Sequence, residues 1–280
     1  MSPSPKIQAT TSVYMVIGDP IAHSLSPRMH NAAYQACGID SVMVAARVSA
    51  AFLESAVAGV RALNIRGLAC TMPHKAALCS LVDTLDPVAK AIGAVNTVVN
   101  NDGALTGYNT DWLGIQRPLE KRLALNGRRV ALLGAGGAAA AALYACGMRG
   151  ALVTVFNRTE SKAQALASQY GASWSGLDAT CDLAQFDIVI NTTSLGMSQS
   201  IEASPLTASQ LHRHQVVFET IYSPRKTRLL SYAEQAGCQI VYGSEMFVEQ
   251  GAAQFEIHTG ALAPREVMWA VVDDGESASG

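Results

Sequence analysis

The stretch Leu132-Leu133-Gly134-Ala135-Gly136-Gly137-Ala138-Ala139 decides the fold. Its apolar residues close the strand expected over Arg129–Leu133, and alanines dominate the helix expected over Ala138–Met148. Gly134-x-Gly136-x-x-Ala139 at such a strand-to-helix turn fits the Gly-x-Gly-x-x-Gly/Ala pattern of dinucleotide sites. The first glycine allows a tight turn, the second lets backbone approach a pyrophosphate, and the small third residue lets helix and strand lie close. The free N–H groups of the helix N-terminus and its positive dipole then favour phosphate, which assigns Gly134, Gly136, Gly137 and Ala138 to the cofactor.

Downstream of this turn the pattern continues as strand Leu152–Phe156, helix Thr159–Tyr170, strands Asp187–Asn191 and Val216–Phe218, helix Thr227–Ala236 and strand Gln239–Val241. Upstream, strands are expected over Val13–Ile17, Val42–Ala46 and Gly67–Thr71, with helices from Pro27 to about Cys37 and over Ala51–Leu63. A hairpin of Val95–Val99 and Ala104–Gly107 turns across Asn101-Asp102-Gly103. The alternation of short apolar runs with helices marks an α/β protein with largely parallel sheets. The reading is of two domains: an N-terminal α/β substrate domain over 1–112 and a Rossmann-type dinucleotide-binding domain over 113–244. A helix over Thr110–Leu125 bridges them, and residues 245–272, with a last helix near Met246–Thr259, return to the first domain.

The 280 residues are 49% hydrophobic and 15% charged, enough to bury a sizeable core. Net charge is -2 with scattered basic residues, so no nucleic-acid footprint is expected. The six cysteines have no C-x-x-C spacing and are read as reduced, packed small hydrophobes; the six histidines form no metal motif, so no metal is expected. Met1–Thr11 lacks the apolar centre of a signal peptide, and no long apolar run suggests a membrane span. A cytoplasmic protein is expected, with a frayed acidic tail over Asp273–Gly280.

The second strand of the dinucleotide unit ends Phe156-Asn157-Arg158-Thr159. An NAD site commonly places a carboxylate here, on the ribose hydroxyls. A neutral Asn157 followed by Arg158, with Lys162 one helical turn on, suits the 2′-phosphate of NADP instead. Thr159 is placed to cap the helix and touch that phosphate.

Four polar clusters in the first domain lie at strand ends, where open α/β sheets hold ligands. They are Gly18–Pro27, Thr71–Lys75, Gly93–Thr97 and Gly107–Asp111. Ser24 and Ser26 would point the same way if their segment is extended, and their hydroxyls can donate to a carboxylate. Asn96 can both donate and accept. His23 and His74 are read as loop histidines without a role.

These motifs resemble the shikimate dehydrogenase family, in order and over about Tyr14 to Gly260: Ser-x-Ser-Pro at Ser24–Pro27, Thr-x-Pro-x-Lys at Thr71–Lys75, Ala-Val-Asn-Thr at Ala94–Thr97, Asn-Thr-Asp at Asn109–Asp111, Gly-Ala-Gly-Gly at Gly134–Gly137 and Asn-Arg-Thr at Asn157–Thr159. The resemblance implies NADPH-dependent reduction of 3-dehydroshikimate to shikimate, with related members acting on quinate or aminoshikimate. It makes Lys75 and Asp111 the catalytic pair, and Ser24, Ser26, Thr71, Asn96, Tyr222 and Gln250 substrate ligands, in a cleft between the domains. A lysine ammonium suits the reduction direction, because it can protonate the oxygen that hydride arrival leaves negative. Oxidation of the alcohol is then expected to improve at alkaline pH. The partner is a small polyol acid, the assembly a monomer or homodimer. A non-catalytic NADP-binding regulator on the same fold is the rival from another class. Departures from the pattern are Ala69 in place of Asn, Trp112 in place of a small residue, Glu219 in place of Asp, and Glu245-Met246-Phe247 in place of Gly-Met-Leu; Glu245 would bring bulk and charge toward the nicotinamide.

Overall fold

The computed structural model describes residues 7–178, 180–197 and 200–277. They fall into two compact units, one within Met1–Thr110 and Gln250–Gly280, the other Asp111–Glu249.

In the first unit the elements run β1 (Ser12–Gly18), α1 (Ser26–Ala36), β2 (Ser41–Arg47), α2 (Leu53–Ala62), β3 (Gly67–Cys70), β4 (Thr84–Leu85), α3 (Pro87–Ile92), β5 (Thr97–Asn101) and β6 (Ala104–Tyr108). The sheet order is β2-β1-β3-β5-β6-β4. β2, β1 and β3 are parallel, and β5 runs antiparallel to both β3 and β6. The β5–β6 hairpin turns on Asp102 and Gly103, both at positive φ, the two-residue geometry that matches strand twist. On one face Ile17, Leu68, Val98 and Leu105 pack with Val57 and Val60 of α2. Elsewhere in this unit Tyr14 stacks on Tyr34 of α1 at 5.6 Å between ring centroids.

The second unit opens with α4 (Asp111–Glu120) and continues β7 (Arg129–Leu133), α5 (Gly137–Gly147), β8 (Leu152–Asn157), α6 (Glu160–Gln169), β9 (Ser173–Gly176), β10 (Ile188–Asn191), β11 (Val216–Glu219), α7 (Arg228–Gln235) and β12 (Gln239–Val241). Helix α8 (Gly243–Thr259) begins in this unit and ends in the first. The sheet is parallel, in the order β12-β11-β10-β7-β8-β9. That is the doubly wound dinucleotide-binding order, and its direction reverses between β7 and β10. Consecutive residues of β7 and β10 are all 0% exposed from Val130 to Leu133 and from Ile188 to Ile190, so both faces of the sheet are covered.

Several expectations change. The bridging helix stops at Glu120, short of Leu125. The first hairpin strand begins at Thr97, because Val95 and Asn96 spend their amides on the Lys75 and Tyr108 carbonyls. The expected last helix is followed by another, α9 (Arg265–Ser277), whose Met268 and Val272 are buried. Asp273–Ser277 is therefore helical and not a frayed tail; Ala278–Gly280 lies outside the described residues, as does Met1–Lys6 of the segment read for a signal peptide. All six cysteines are free thiols, but Cys37 is exposed and not packed. No helix among the described residues is long and apolar enough to cross a membrane.

Candidate functional site

At the end of β7 the chain turns through Gly134, whose φ of +110° disfavours any side chain. A Cβ there would also stand 2.5 Å from Thr192 Oγ1. Thr192, just past β10, donates its backbone N–H and its hydroxyl to the Leu133 carbonyl at 2.9 and 2.6 Å. The two strands that flank the reversal point are thus stitched together at their carboxyl ends. Gly136 is the N-cap of α5, and a Cβ there would meet no protein atom within 4 Å. Packing does not demand that glycine; the open space leaves room for a phosphate to approach the backbone. Ala139, Ala141, Ala142 and Ala145 are 0% exposed, so α5 lies close on the sheet with its free N–H groups at the turn.

At the end of β8, Asn157 Nδ2 donates to the Thr159 carbonyl at 2.9 Å. Arg158 and Lys162 are exposed and form no ion pair among the described residues. Thr159 occupies the N-cap of α6, but its hydroxyl makes no capping hydrogen bond, contrary to the expected cap. The glycine cradle, the helix N-terminus and these free cations fit an NADP-type dinucleotide, and no carboxylate stands at Asn157 to repel a 2′-phosphate.

In the first unit, Thr71 and Lys75 follow β3. The Thr71 amide donates to the Ile17 carbonyl at 3.0 Å, and the Lys75 carbonyl accepts from the Val95 amide at 2.8 Å. His74 between them is 1% exposed, and its Nε2 lies 2.7 Å from the Val48 carbonyl oxygen. His74 lies in a loop, as expected, and its contact with the Val48 carbonyl anchors the turn that carries Lys75.

Asn96 sits beside this turn, where its carbonyl accepts from the Cys70 amide. Its side-chain oxygen accepts from the Thr110 amide and the Thr97 hydroxyl, each at 2.8 Å. Its Nδ2 donates to Thr110 Oγ1 at 2.9 Å and lies 3.5 Å from Gln250 Oε1. Gln254, 2% exposed, donates to the Asn96 carbonyl and to Thr97 Oγ1. An amide oxygen has two lone pairs, and both are taken. The Asn96 side chain is therefore held in one orientation, its oxygen toward Thr97 and Thr110 and its Nδ2 toward Thr110 and Gln250. Thr97, Thr110 and Gln254 were missed as its supports. Thr97 and Thr110 lie inside the motifs, but nothing in the sequence pairs them with residue 254.

The extended arrangement expected for Ser24 and Ser26 is absent. Leu25 between them is α-helical at φ -83°, ψ -5°, and the Ser26 amide donates to Ser24 Oγ at 3.3 Å. The turn forms because α1 already begins at Ser26, with Pro27 in its first turn. Ser24 is half-buried and Ser26 buried. Asn109 donates to the Ala94 carbonyl at 2.9 Å.

Asp111, Tyr222 and the dinucleotide residues belong to the second unit; Ser24, Ser26, Thr71, Lys75, Asn96 and Gln250 belong to the first. Asp111 is 3% exposed at the start of α4. Tyr222 stacks on Phe247 with centroids 4.5 Å apart. Trp112 meets Tyr144 of α5 edge-on at 5.9 Å, so α5 supplies the packing its bulk requires. Both oxygens of Glu245 are bound by Arg122, at 2.7 and 2.8 Å, so its charge is matched within the unit. Ala69 is buried in β3 opposite Thr97.

The family model of the shikimate dehydrogenase substrate binding domain matches residues 16–98. That of shikimate / quinate 5-dehydrogenase matches 118–228, and that of the shikimate 5′-dehydrogenase C-terminal domain matches 243–272. The shikimate dehydrogenase (NADP(+)) of Moorella thermoacetica is 40% identical over 287 residues, 98% of this chain and 97% of that protein. A shikimate dehydrogenase solved in complex with NADP+ superposes with a TM-score of 0.92 at 37% identity, covering 96% of this chain and 97% of that one. The shikimate 5-dehydrogenase of Thermus thermophilus, solved with NADP(H) and shikimate, gives 0.88 at 33% identity, covering 94% and 99%.

Proposed function

The chain belongs to the shikimate dehydrogenase family, and we propose that it catalyses the reversible, NADP-dependent reduction of 3-dehydroshikimate to shikimate. The observation that carries the cofactor choice is the end of β8. Neutral Asn157 and the exposed cations Arg158 and Lys162 stand where a ribose-binding carboxylate would select NAD. Gly134, Gly136, Gly137 and Ala138 receive the pyrophosphate at the α5 N-terminus; Arg158, Thr159 and Lys162 bind the 2′-phosphate.

NADPH supplies the hydride. Lys75 delivers the proton to the substrate oxygen as negative charge develops there, and Asp111 is its proposed catalytic partner, accepting from a substrate hydroxyl. Ser24 and Ser26 hydroxyls donate to the ring carboxylate, and Asn96 holds a ring hydroxyl. Thr71, Gln250 and Tyr222 complete the proposed set. The protein is proposed to act on this small acid in the cytoplasm as a monomer or homodimer, without nucleic acid or membrane as partner.

Initial rates with shikimate, quinate and aminoshikimate, each with NADP and NAD, test the reading. The highest kcat/KM is expected for shikimate with NADP. Preference for quinate or aminoshikimate would move the substrate within the family, and preference for NAD would overturn the role of Arg158. Tight NADPH binding with no turnover of any of the three would make the protein a regulator instead.

A further inference from the structure

We propose that Glu219 is a positioning residue, the shared acceptor that ties the loop after β10 to the loop after β11 and so sets the two segments that border the dinucleotide and carry Tyr222. The inference rests on the NADP-dependent reading above. Glu219 ends β11 and is 0% exposed. Its Oε1 accepts from the Ile221 amide at 3.1 Å and from Asn191 Nδ2 at 3.0 Å. Its Oε2 accepts from Asn191 Nδ2 at 3.0 Å and from the Thr227 hydroxyl at 2.9 Å.

Each partner belongs to a segment at the ligand-binding end of the sheet. Asn191 ends β10, and its Oδ1 accepts from the amide and hydroxyl of Thr193 at 3.0 and 2.7 Å. The next residue toward the reversal point is Thr192, held on Leu133 and against Gly134. On the other side Ile221 is followed by Tyr222, and Thr227 caps α7. One carboxylate thus joins the glycine turn, through Thr192 and Asn191, to the Tyr222 loop and the start of α7.

A purely structural strand end is more cheaply filled by an apolar side chain, because burying a carboxyl carries a desolvation penalty. That penalty is visible here: burial pushes the Glu219 carboxyl up to about 7, against the hydrogen bonds of Asn191, Ile221, Thr227 and Thr220, all neutral groups. The carboxylate is retained where donors from two loops need a common acceptor, a job no apolar residue can do.

The test uses the full chain with E219Q, N191A and the double variant, at a pH above 7, where the Glu219 carboxylate is ionised. It measures NADPH Kd by fluorescence, KM for shikimate, kcat at saturation, and Tm. E219Q keeps the shape but offers one acceptor oxygen in place of two; N191A removes the link from the other side should E219Q fold poorly. Each single variant is expected to raise both NADPH Kd and shikimate KM about fivefold or more, the effect of one buried hydrogen bond. The double variant should be little worse than the worse single, because the two act as one unit. A lowered Tm with NADPH Kd and shikimate KM equal to the wild type in both singles overturns the proposal and leaves Glu219 a packing residue. Absence of shikimate turnover in the wild type would sink the dehydrogenase reading instead, and the NADPH Kd series would still decide Glu219.

Discussion

Single side chains carry the proposed chemistry, and two variants, one single and one double, separate their roles. Lys75→Ala removes the proposed acid but leaves the His74 anchor on Val48 in place. Its kcat should fall about 10²- to 10⁴-fold with a much smaller change in KM, the range for a general acid. A steady-state comparison in which KM rises and kcat holds would remove Lys75 from the proton step. Arg158→Ala combined with Lys162→Ala should lower kcat/KM with NADP on the order of 10-fold or more while NAD rates change little, since only NADP has a phosphate for these cations. Equal losses with both cofactors would refute 2′-phosphate binding. The sequence displayed both groups, because charged residues at strand ends have few structural uses. It left Asn96 open between donor and acceptor. Its orientation depends on the Thr110 amide and the Thr97 hydroxyl, and only folding reveals which atoms they meet.

Secondary-structure elements are legible where an apolar run or period is bounded by strong stop signals. The strands Arg129–Leu133 and Gln239–Val241 stand where the apolar pattern put them, and α1 ends just before Gly38 at φ +65°. Short elements without an apolar run escape. Helix α3 has six residues, too few for a period, although Asp86-Pro87 at its start and Gly93 at its end are ordinary helix boundaries. Asp86 accepts from the Val88 and Ala89 amides at 2.9 and 3.4 Å. Asp86→Ala should therefore cost about 1 kcal/mol, lowering Tm by a few degrees with kinetics unchanged. An unaltered Tm would show that the cap is not needed. Strands β4 and β9 were also unseen. β4 has two residues, and β9, Ser-Trp-Ser-Gly, lies at the sheet edge with Trp174 41% exposed, so no alternation marks it. Helix α9 runs on past its buried Met268 and Val272 into Asp273–Ser277, where no apolar period marks it.

Across the whole molecule, the two units are expected to respond to acid in opposite directions. In the first unit His30 and His258 are buried, and burial lowers them from 6.5 to about 3 and about 4. They meet Tyr34, Phe255 and Tyr14, and His258 also faces the Val98 carbonyl. The unfolded histidines take up protons below about 6.5 and the folded ones do not. Their stability contribution is present above that pH and is lost as pH falls toward 4, on the order of 2 kcal/mol for each at pH 5. In the second unit Glu219 is raised from 4.5 to about 7, so between those pH values the folded state holds a proton that the unfolded state has released. Its contribution is present below 4.5 and is lost as pH rises through 7. Calorimetry from pH 7 to pH 5 should show the transition of the first unit moving down while Glu219 supports the second, so the endotherm broadens or splits. His30→Phe should reduce the shift. A single sharp transition with the same Tm at both pH values would contradict this account.

By itself the sequence determined the class of protein, the dinucleotide turn and the cofactor preference. Each is written locally: a strand–glycine–helix period, and a strand end bearing cations in place of a carboxylate. Tertiary structure alone decided how these groups are held. Thr192 reaches Leu133 from 59 residues away and closes over Gly134. Asn96 is oriented partly through Gln254, and Glu219 gathers donors from β10, its own loop and the cap of α7. Hydrogen bonds between distant segments leave no period in a sequence, because a buried polar group needs a partner in space and takes it from whichever strand end the sheet order brings beside it.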